Sequence, residues 1–488
     1  MGTSVLQPAI ETPAIASVTR TAADTPVVAH SDVVVVGGGP AGLAAAVSAA
    51  RQGASVTLLE RYAYLGGLAA GGMVLVLDDF ADGAEEITVH GIAQEMVERL
   101  DALGLAVYPP PEDRILSDEM WNRWSRWGVF DLYAKGPKKS ILYAVAFDPD
   151  GWKRVSNNLV EEAGVDVRLH SWFSAPIMEG DAVSGVICET KAGPQAVLGD
   201  VVIDASGDAD VAARAGAPFV EGSYMVTPVF RLGNVDTDAA ERFERNQPAE
   251  CHAVNREARR ILGGSWAIWW LKTPLPGVVW CNCPHMTGYD GLSVEDLTSA
   301  DREGRKKIAG LVDHVREHYP GFERAVVIDV APQIGVRQSR LIDGEYVVTK
   351  DDVVNRVHFT DSVARGRGYY TPYRAMLPRR VEQLLVAGRH YSVTPEAQKL
   401  SREIPPCMAM GEAAGTAAVE ALDTGVAVRK ADVAAIQRRL RRHGADPGDI
   451  PSPRARPAPP PAKWGPGGGW VGDANQPRRG AGVGCGDC

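Results

Sequence analysis

Asp32-Val-Val-Val-Val36, a run of β-branched residues, passes directly into Gly37-Gly-Gly39-Pro-Ala-Gly42 and then Leu43-Ala-Ala-Ala-Val-Ser-Ala-Ala50. That order predicts a buried parallel strand, a tight glycine turn and a helix. Gly53 closes the helix, and Ser55-Val-Thr-Leu-Leu59 gives a second strand ending at Glu60. The chain is therefore expected to contain a Rossmann-like α/β unit. Three glycines permit the tight turn, close approach of backbone to a pyrophosphate, and close packing of helix on strand. The helix start adds free N–H groups and the positive end of its dipole. Glu60 follows Gly42 by 18 residues, where an acid can hydrogen-bond the ribose of an adenosine.

A glycine triplet alone proves little. Gly467-Gly-Gly469-Trp-Val-Gly472 has the same spacing, but no strand precedes it and no helix follows. It lies in residues 451–488, which carry 8 Pro and 9 Gly and read as a flexible tail. Residues 1–30 read as a disordered leader without the pattern of a secretory signal.

After Glu60 comes Arg61-Tyr-Ala-Tyr-Leu65-Gly66-Gly67-Leu68, a basic residue and a Gly-Gly pair suited to a long cofactor running on beneath the loop. Four later segments join it. They are Val201-Val-Ile203-Asp204-Ala-Ser-Gly207-Asp208, Ala331-Pro-Gln-Ile-Gly335-Val-Arg337-Gln-Ser-Arg340, Leu384-Leu-Val-Ala-Gly388-Arg389, and Ile404-Pro-Pro-Cys407-Met-Ala-Met-Gly411-Glu-Ala-Ala414-Gly415. Together, over about residues 31–435, the chain resembles FAD-dependent oxidoreductases of the glutathione-reductase-like flavoprotein superfamily.

The resemblance implies an α/β fold: a Rossmann-like FAD-binding domain of glutathione-reductase-like type with an inserted mixed β-sheet substrate domain. It implies FAD contacts at Gly37, Gly39, Pro40, Ala41, Gly42, Glu60, Arg61, Gly66, Gly67 and Leu68. Further contacts are implied at Asp204, Gly207, Asp208, Gly388, Arg389, Gly411 and Ala414. Arg389 departs from the wider superfamily, which carries Asp there. Gly411 to Gly415 reads as the opening of an Ala-rich helix whose N-terminus approaches the flavin ring.

The expected layout is discontinuous. Residues 31–75, 140–225 and 375–435 hold FAD, 76–139 cap the site, and 226–374 form the substrate domain. Trp172 and Phe173 are expected near the adenine. Alternation between Asp181 and Leu198 predicts a hairpin. No second strand–glycine–helix unit in the body offers a nicotinamide site. The substrate is thus expected to reduce the flavin, and oxygen or a separate acceptor to reoxidise it.

Flavin oxidation also needs a group to handle a proton. His390 and Tyr391 follow Gly388-Arg389, and His358, Tyr373 and Arg374 lead toward that strand. His390, His358, Tyr391 and Arg374 are the catalytic candidates, with Arg337 and Arg340 as clamps for a carboxylate or phosphate. Trp121, Trp124 and Trp127, and Trp266, Trp269 and Trp270, suit core packing or a pocket for a hydrophobic or aromatic substrate. Cys281-Asn-Cys283-Pro-His285 is spaced poorly for a tetrahedral zinc site, so no metal is expected.

Composition narrows the partners. A net charge of −10 argues against a nucleic-acid or membrane-surface binder, and no run is long enough to span a bilayer. Seven cysteines in 488 residues suit a reducing, cytoplasmic setting. The expected partner is a small-molecule substrate, with a homo-oligomer or redox partner left open. Two other readings stand beside the dehydrogenase. One is a flavoprotein carrier or docking module exchanging electrons or disulfides through Cys485-Gly-Asp-Cys488; the other is an aromatic monooxygenase.

Overall fold

The structure, a computed structural model, describes residues 24–83, 86–132, 134, 136–263 and 267–458. The expected leader up to residue 23, the Cys485/Cys488 pair and Trp266 lie outside the described residues.

The first predicted strand, β1 (Val27–Val36), starts earlier than the valine run and occupies the middle of the main sheet. It leads through the glycine turn into α1 (Pro40–Arg51) and β2 (Val56–Leu59). Further along come α2 (Pro149–Ala163), β3 (Asp166–Arg168), β4 (Trp172–Glu179), β5 (Ala182–Thr190) and β6 (Gly193–Asp204). Much later, β7 (Leu384–Val386) and α3 (Ile404–Thr424) complete the unit. The parallel part runs β3-β2-β1-β6-β7, with Val34 opposite Thr57 and Val202, and Val202 opposite Leu384. The first half of β6, parallel to β1 on one edge, pairs antiparallel with β5 on the other, and β5 with β4, which places the predicted hairpin beside the parallel strands.

Both faces of β1 are covered, which is why its sequence is apolar without alternation. Val33 and Val35 point into the core built with α1 and α3, while Val34 and Val36 point into the core shared with the β4–β6 meander. The mixed α/β, Rossmann-like architecture follows directly.

On the helix face, α1 and α3 touch backbone to backbone. A Cβ on Gly411 would stand 2.0 Å from the Ala41 carbonyl oxygen, and one on Gly415 2.3 Å from that of Ala45. The four-residue spacing on each helix keeps the small residues in one line of contact. Ser48 adds a hydrogen bond from its Oγ to the Glu412 carbonyl at 3.0 Å.

A second sheet runs Trp270–Lys272, Val279–Cys281, Phe230–Gly233, Val326–Val330, backed by the helix Val294–His318. The expectation of a mixed inserted sheet is corrected here: all three pairings are antiparallel. The segment joining Lys272 to Val279 is too short for the crossover that a parallel pair needs. The proline-rich end also differs from its expected form at its start. Arg456–Pro457 pairs with Val357–His358, and the Ser452 N–H donates to the Tyr370 hydroxyl at 2.8 Å. Among the described residues, no helix is long and apolar enough to cross a membrane.

Candidate functional site

A cleft runs along the carboxyl ends of β1, β2, β6 and β7, where open α/β sheets bind ligands. Its floor is the glycine turn. Gly37 has φ +103°, and a Cβ there would meet the Ala205 carbonyl oxygen at 2.5 Å, so only glycine fits. Gly42 closes the turn on itself, with the Gly37 oxygen 1.8 Å from where its Cβ would be. Gly39 differs from both: its nearest neighbour to a Cβ is 3.9 Å away, so the missing side chain leaves open space in the cleft. Gly39 is also the N-cap of α1, and no side chain caps that helix. The first-turn N–H groups therefore have no side-chain acceptor, an arrangement suited to a phosphate. Pro40, at the first helical position, has no N–H to lose.

Glu60 and Arg61 form one end of the cleft. The Glu60 carboxylate accepts from the Gly38 N–H and the Tyr62 N–H, both at 2.8 Å. Burial raises its pKa, partly offset by those two bonds. The Arg61 guanidinium lies over the rings of Tyr62 and Trp172 at 5.0 and 5.1 Å. Trp172, Phe173, Gly67 and Leu68 also line the cleft. Gly66 does not: with φ +111° it caps a short helix against Trp152, and its N–H donates to the Gly38 carbonyl at 2.7 Å.

Gly207, Gly388 and Arg389 line the middle. Arg389 donates to Asp208 at 2.9 Å, and the Ser339 hydroxyl to the same oxygen at 2.5 Å. Burial works against the Asp208 charge, but Arg389, Ser339 and Arg61 together hold its pKa below the usual range. Asp204 lies deeper. It accepts from the Ser206 hydroxyl and from the N–H groups of Val211 and Ala212, and so caps the short helix Asp210–Arg214 instead of facing the cleft. Arg340, expected as a clamp, spends its charge on the Asp208 carbonyl and Asp210.

At the other end stand Gln333, Arg337, Arg402, Glu403, Ile404 and Cys407. Arg337 donates to Asn282 at 3.3 Å and to Nε2 of His285 at 2.9 Å. Burial, then Arg402, pulls the Arg337 pKa down to about 10. Burial and the two arginines pull His285 down to about 3, so it is a neutral acceptor. Helix α3 begins at Ile404, with Pro405 and Pro406 in its first turn, and not at Gly411 as the glycine pattern suggested. Gly411 and Ala414 sit within it; Gly411 contacts α1, and the first turn is what reaches the cleft. The Pro-Pro pair is the signal that marks this start, since proline is accepted where the N–H has no helical partner.

The four catalytic candidates do not come together in the cleft. His358 Nε2 bonds the Gly448 carbonyl, and Arg374 forks onto Asp361. The Tyr391 hydroxyl bonds Ser401. His390 is fully buried behind Gly388, with Nε2 3.1 Å from the Asp204 carbonyl and Nδ1 without a partner. The tryptophans at 121, 124 and 127 pack with Met120, Val129 and Ile141, away from the cleft. Among the described residues, no group of three or more His, Cys, Asp or Glu could hold a metal ion.

A family model described as FAD dependent oxidoreductase matches residues 32–370 and 366–440. Among solved structures, the chain is similar to a geranylgeranyl bacteriochlorophyll reductase-like protein from Thermoplasma acidophilum. Identity is 15% and TM-score 0.41, over 85% of this chain and 83% of that one. It is also similar to p-nitrophenol 4-monooxygenase from Pseudomonas putida DLL-E4, at 14% identity and TM-score 0.42, over 85% and 84%. A third is L-amino acid deaminase from Proteus myxofaciens, at 13% identity and TM-score 0.44, over 84% and 93%.

Proposed function

Because the chain belongs to the FAD dependent oxidoreductase family and is an enzyme whose cofactor is FAD, we propose that it dehydrogenates a small organic substrate within a glutathione-reductase-like fold. The observation that carries this reading is the open wall at Gly39, on an uncapped helix start, in a cleft reaching from Glu60 to Cys407. Bound FAD supplies the hydride acceptor. The chain's own residues bind and orient. Gly39 and Ala41 face the pyrophosphate, and Glu60 keeps lone pairs for the ribose beyond the two it gives to backbone. Arg61 and Trp172 flank the adenine end. Arg389, fixed by Asp208, serves the middle of the cofactor.

The layout proposed is that 31–75, 140–225 and 375–435 hold FAD, while 226–374 bring the substrate. Gln333 and Arg337, on the latter segment, meet Arg402 from the former at one end of the cleft. Two guanidiniums there suit a substrate with an anionic group. The test is anaerobic mixing of the holoenzyme with alcohols, amines and cyclic ketones, with and without a carboxylate. Bleaching of the flavin supports a dehydrogenase; a flavin that no compound in the set bleaches refutes it.

Two variants check the cradle. In Gly39→Ala the methyl enters open cleft instead of a neighbour, so the cofactor-free protein should melt as wild type does while failing to retain FAD. Full FAD content would move the pyrophosphate elsewhere. Glu60→Ala should lose a charge-assisted bond and weaken FAD binding by about 1.5–3 kcal/mol. Titration of the cofactor-free protein with FAD reads that loss.

A further inference from the structure

Arg337 follows the strand Gly335–Val336 and lines the cleft at the end where α3 begins. Its guanidinium is held from three places: Thr227 Oγ1 accepts at 3.5 Å, Asn282 Oδ1 at 3.3 Å and His285 Nε2 at 2.9 Å. A hydroxyl, an amide and an imidazole kept neutral by burial steer the guanidinium without cancelling its charge. All three bonds leave from Nη2, so Nη1 and Nε keep hydrogens to give, and neither atom is sealed inside the protein. Among the described residues, Arg337 pairs with no carboxylate. The other cations of the cleft are balanced or lie elsewhere. Arg389 pairs with Asp208 at 2.9 Å, Arg402 pairs with Glu403 at 3.2 Å, and Arg61 stands at the opposite end. A mostly buried cation is costly unless an anion meets it. Here the charge is fixed in place and left unbalanced.

We propose that the substrate is an organic monocarboxylic acid whose carboxylate docks on Arg337, with Thr227, Asn282 and His285 as positioning residues for that guanidinium. The inference rests on the dehydrogenase reading and names the substrate class for the same site. One unbalanced positive charge matches one negative charge. A dianion would carry a second charge into this end without a partner, and a neutral amide would leave the guanidinium unanswered. The anions of the cofactor have other donors. The uncapped start of α1 at Gly39 serves the pyrophosphate, and α3 starts at Ile404 with no side-chain cap, presenting the positive end of its dipole to a reduced flavin. Gln398 joins the two functions: its Nε2 donates to the carbonyls of Arg337 and Arg389, at 3.0 and 3.2 Å. The docked carboxylate is thereby held in register with the wall that carries the cofactor.

The probes are trimethylacetate and benzoate, which have no C–H bond on the carbon beside the carboxylate, their neutral amides, and the dianion dimethylmalonate. Calorimetric titration of the FAD-loaded enzyme gives each dissociation constant without turnover. At least one of the two acids should bind wild type about 10–100-fold more tightly than its own amide and than dimethylmalonate. Arg337→Met should erase that preference with FAD retained, and Arg337→Lys should restore part of it. Removing this cation leaves only neutral groups behind, so the variant should fold; if its melting curve says otherwise, Arg337→Lys and the His285 pair decide. His285→Leu should reduce the preference, and His285→Gln, which keeps a neutral acceptor, should hold it. A merely structural role would weaken acid and amide alike. The proposal is overturned if neither acid binds more tightly than its amide, if dimethylmalonate binds most tightly, or if Arg337→Met keeps the preference. Loss of FAD from a folded Arg337→Met also overturns it, since the charge then serves the cofactor. An acid preference with no compound bleaching the flavin sinks the dehydrogenase reading and leaves the carboxylate receptor standing. Bleaching by neutral alcohols or amines, without any acid preference, sinks the receptor alone.

Discussion

Arg389→Met is expected to destabilise the cofactor-free protein by about 3–5 kcal/mol at neutral pH, the usual cost of removing one partner from a buried ion pair. The side chains of Arg389 and Asp208 are 16% and 9% exposed, and Met fills much of the volume of the arginine stem. What remains is a buried carboxylate whose main donor left is the Ser339 hydroxyl. The sign with pH is fixed by the direction of the Asp208 shift, which is downward. A depressed carboxyl pKa contributes stability above its unfolded value, and that contribution fades as pH falls through the folded one. Wild type and variant should therefore differ most near neutrality and converge in acid. Urea denaturation without FAD, at several pH values, measures both. Asp208→Asn added to Arg389→Met should recover part of the loss, because no charge is then left alone. Equal midpoints at neutral pH would remove the pair from any anchoring role.

Gly411→Val should act by sterics alone. Its first added carbon would sit 2.0 Å from a backbone oxygen of α1, and a peptide group cannot swing aside as a side chain can. The two helices must part, at a cost at the upper end of the overpacking range, about 3 kcal/mol. FAD affinity should fall with it. One helix carries Ala41 and the other Ile404 and Cys407, so parting them widens the cleft. A variant that melts and binds FAD as wild type does would refute the backbone contact between α1 and α3.

The strand–glycine–helix unit was legible because each step of it is local. Valines without alternation, three glycines and an alanine helix leave few other folds, and β1, α1 and β2 follow in that order. Arg402 and Glu403 were not legible as cleft residues, because their place depends on where α3 starts relative to sheet strands far away in sequence. Gly411 misled for the same reason: a glycine that lets a ligand approach and one that lets a helix approach look alike in a sequence. His358 and Arg374 precede β7 closely in sequence, yet tertiary packing turns them onto Gly448 and Asp361. The antiparallel second sheet was within reach, since the short Lys272-to-Val279 connection permits only a hairpin.

The order of strands in the main sheet sets a schedule for synthesis. β1 is made early, but one face of its neighbourhood is completed by β7 and α3, whose first residues are Leu384 and Ile404. At about 5–20 residues per second, a ribosome takes about 20–70 s to cover that interval. Throughout it the Val33 and Val35 face of β1 and the alanine face of α1 lack α3, against which they finally pack. A nascent chain stalled before residue 384 should therefore expose apolar surface and engage chaperones, while one released after residue 424 should not.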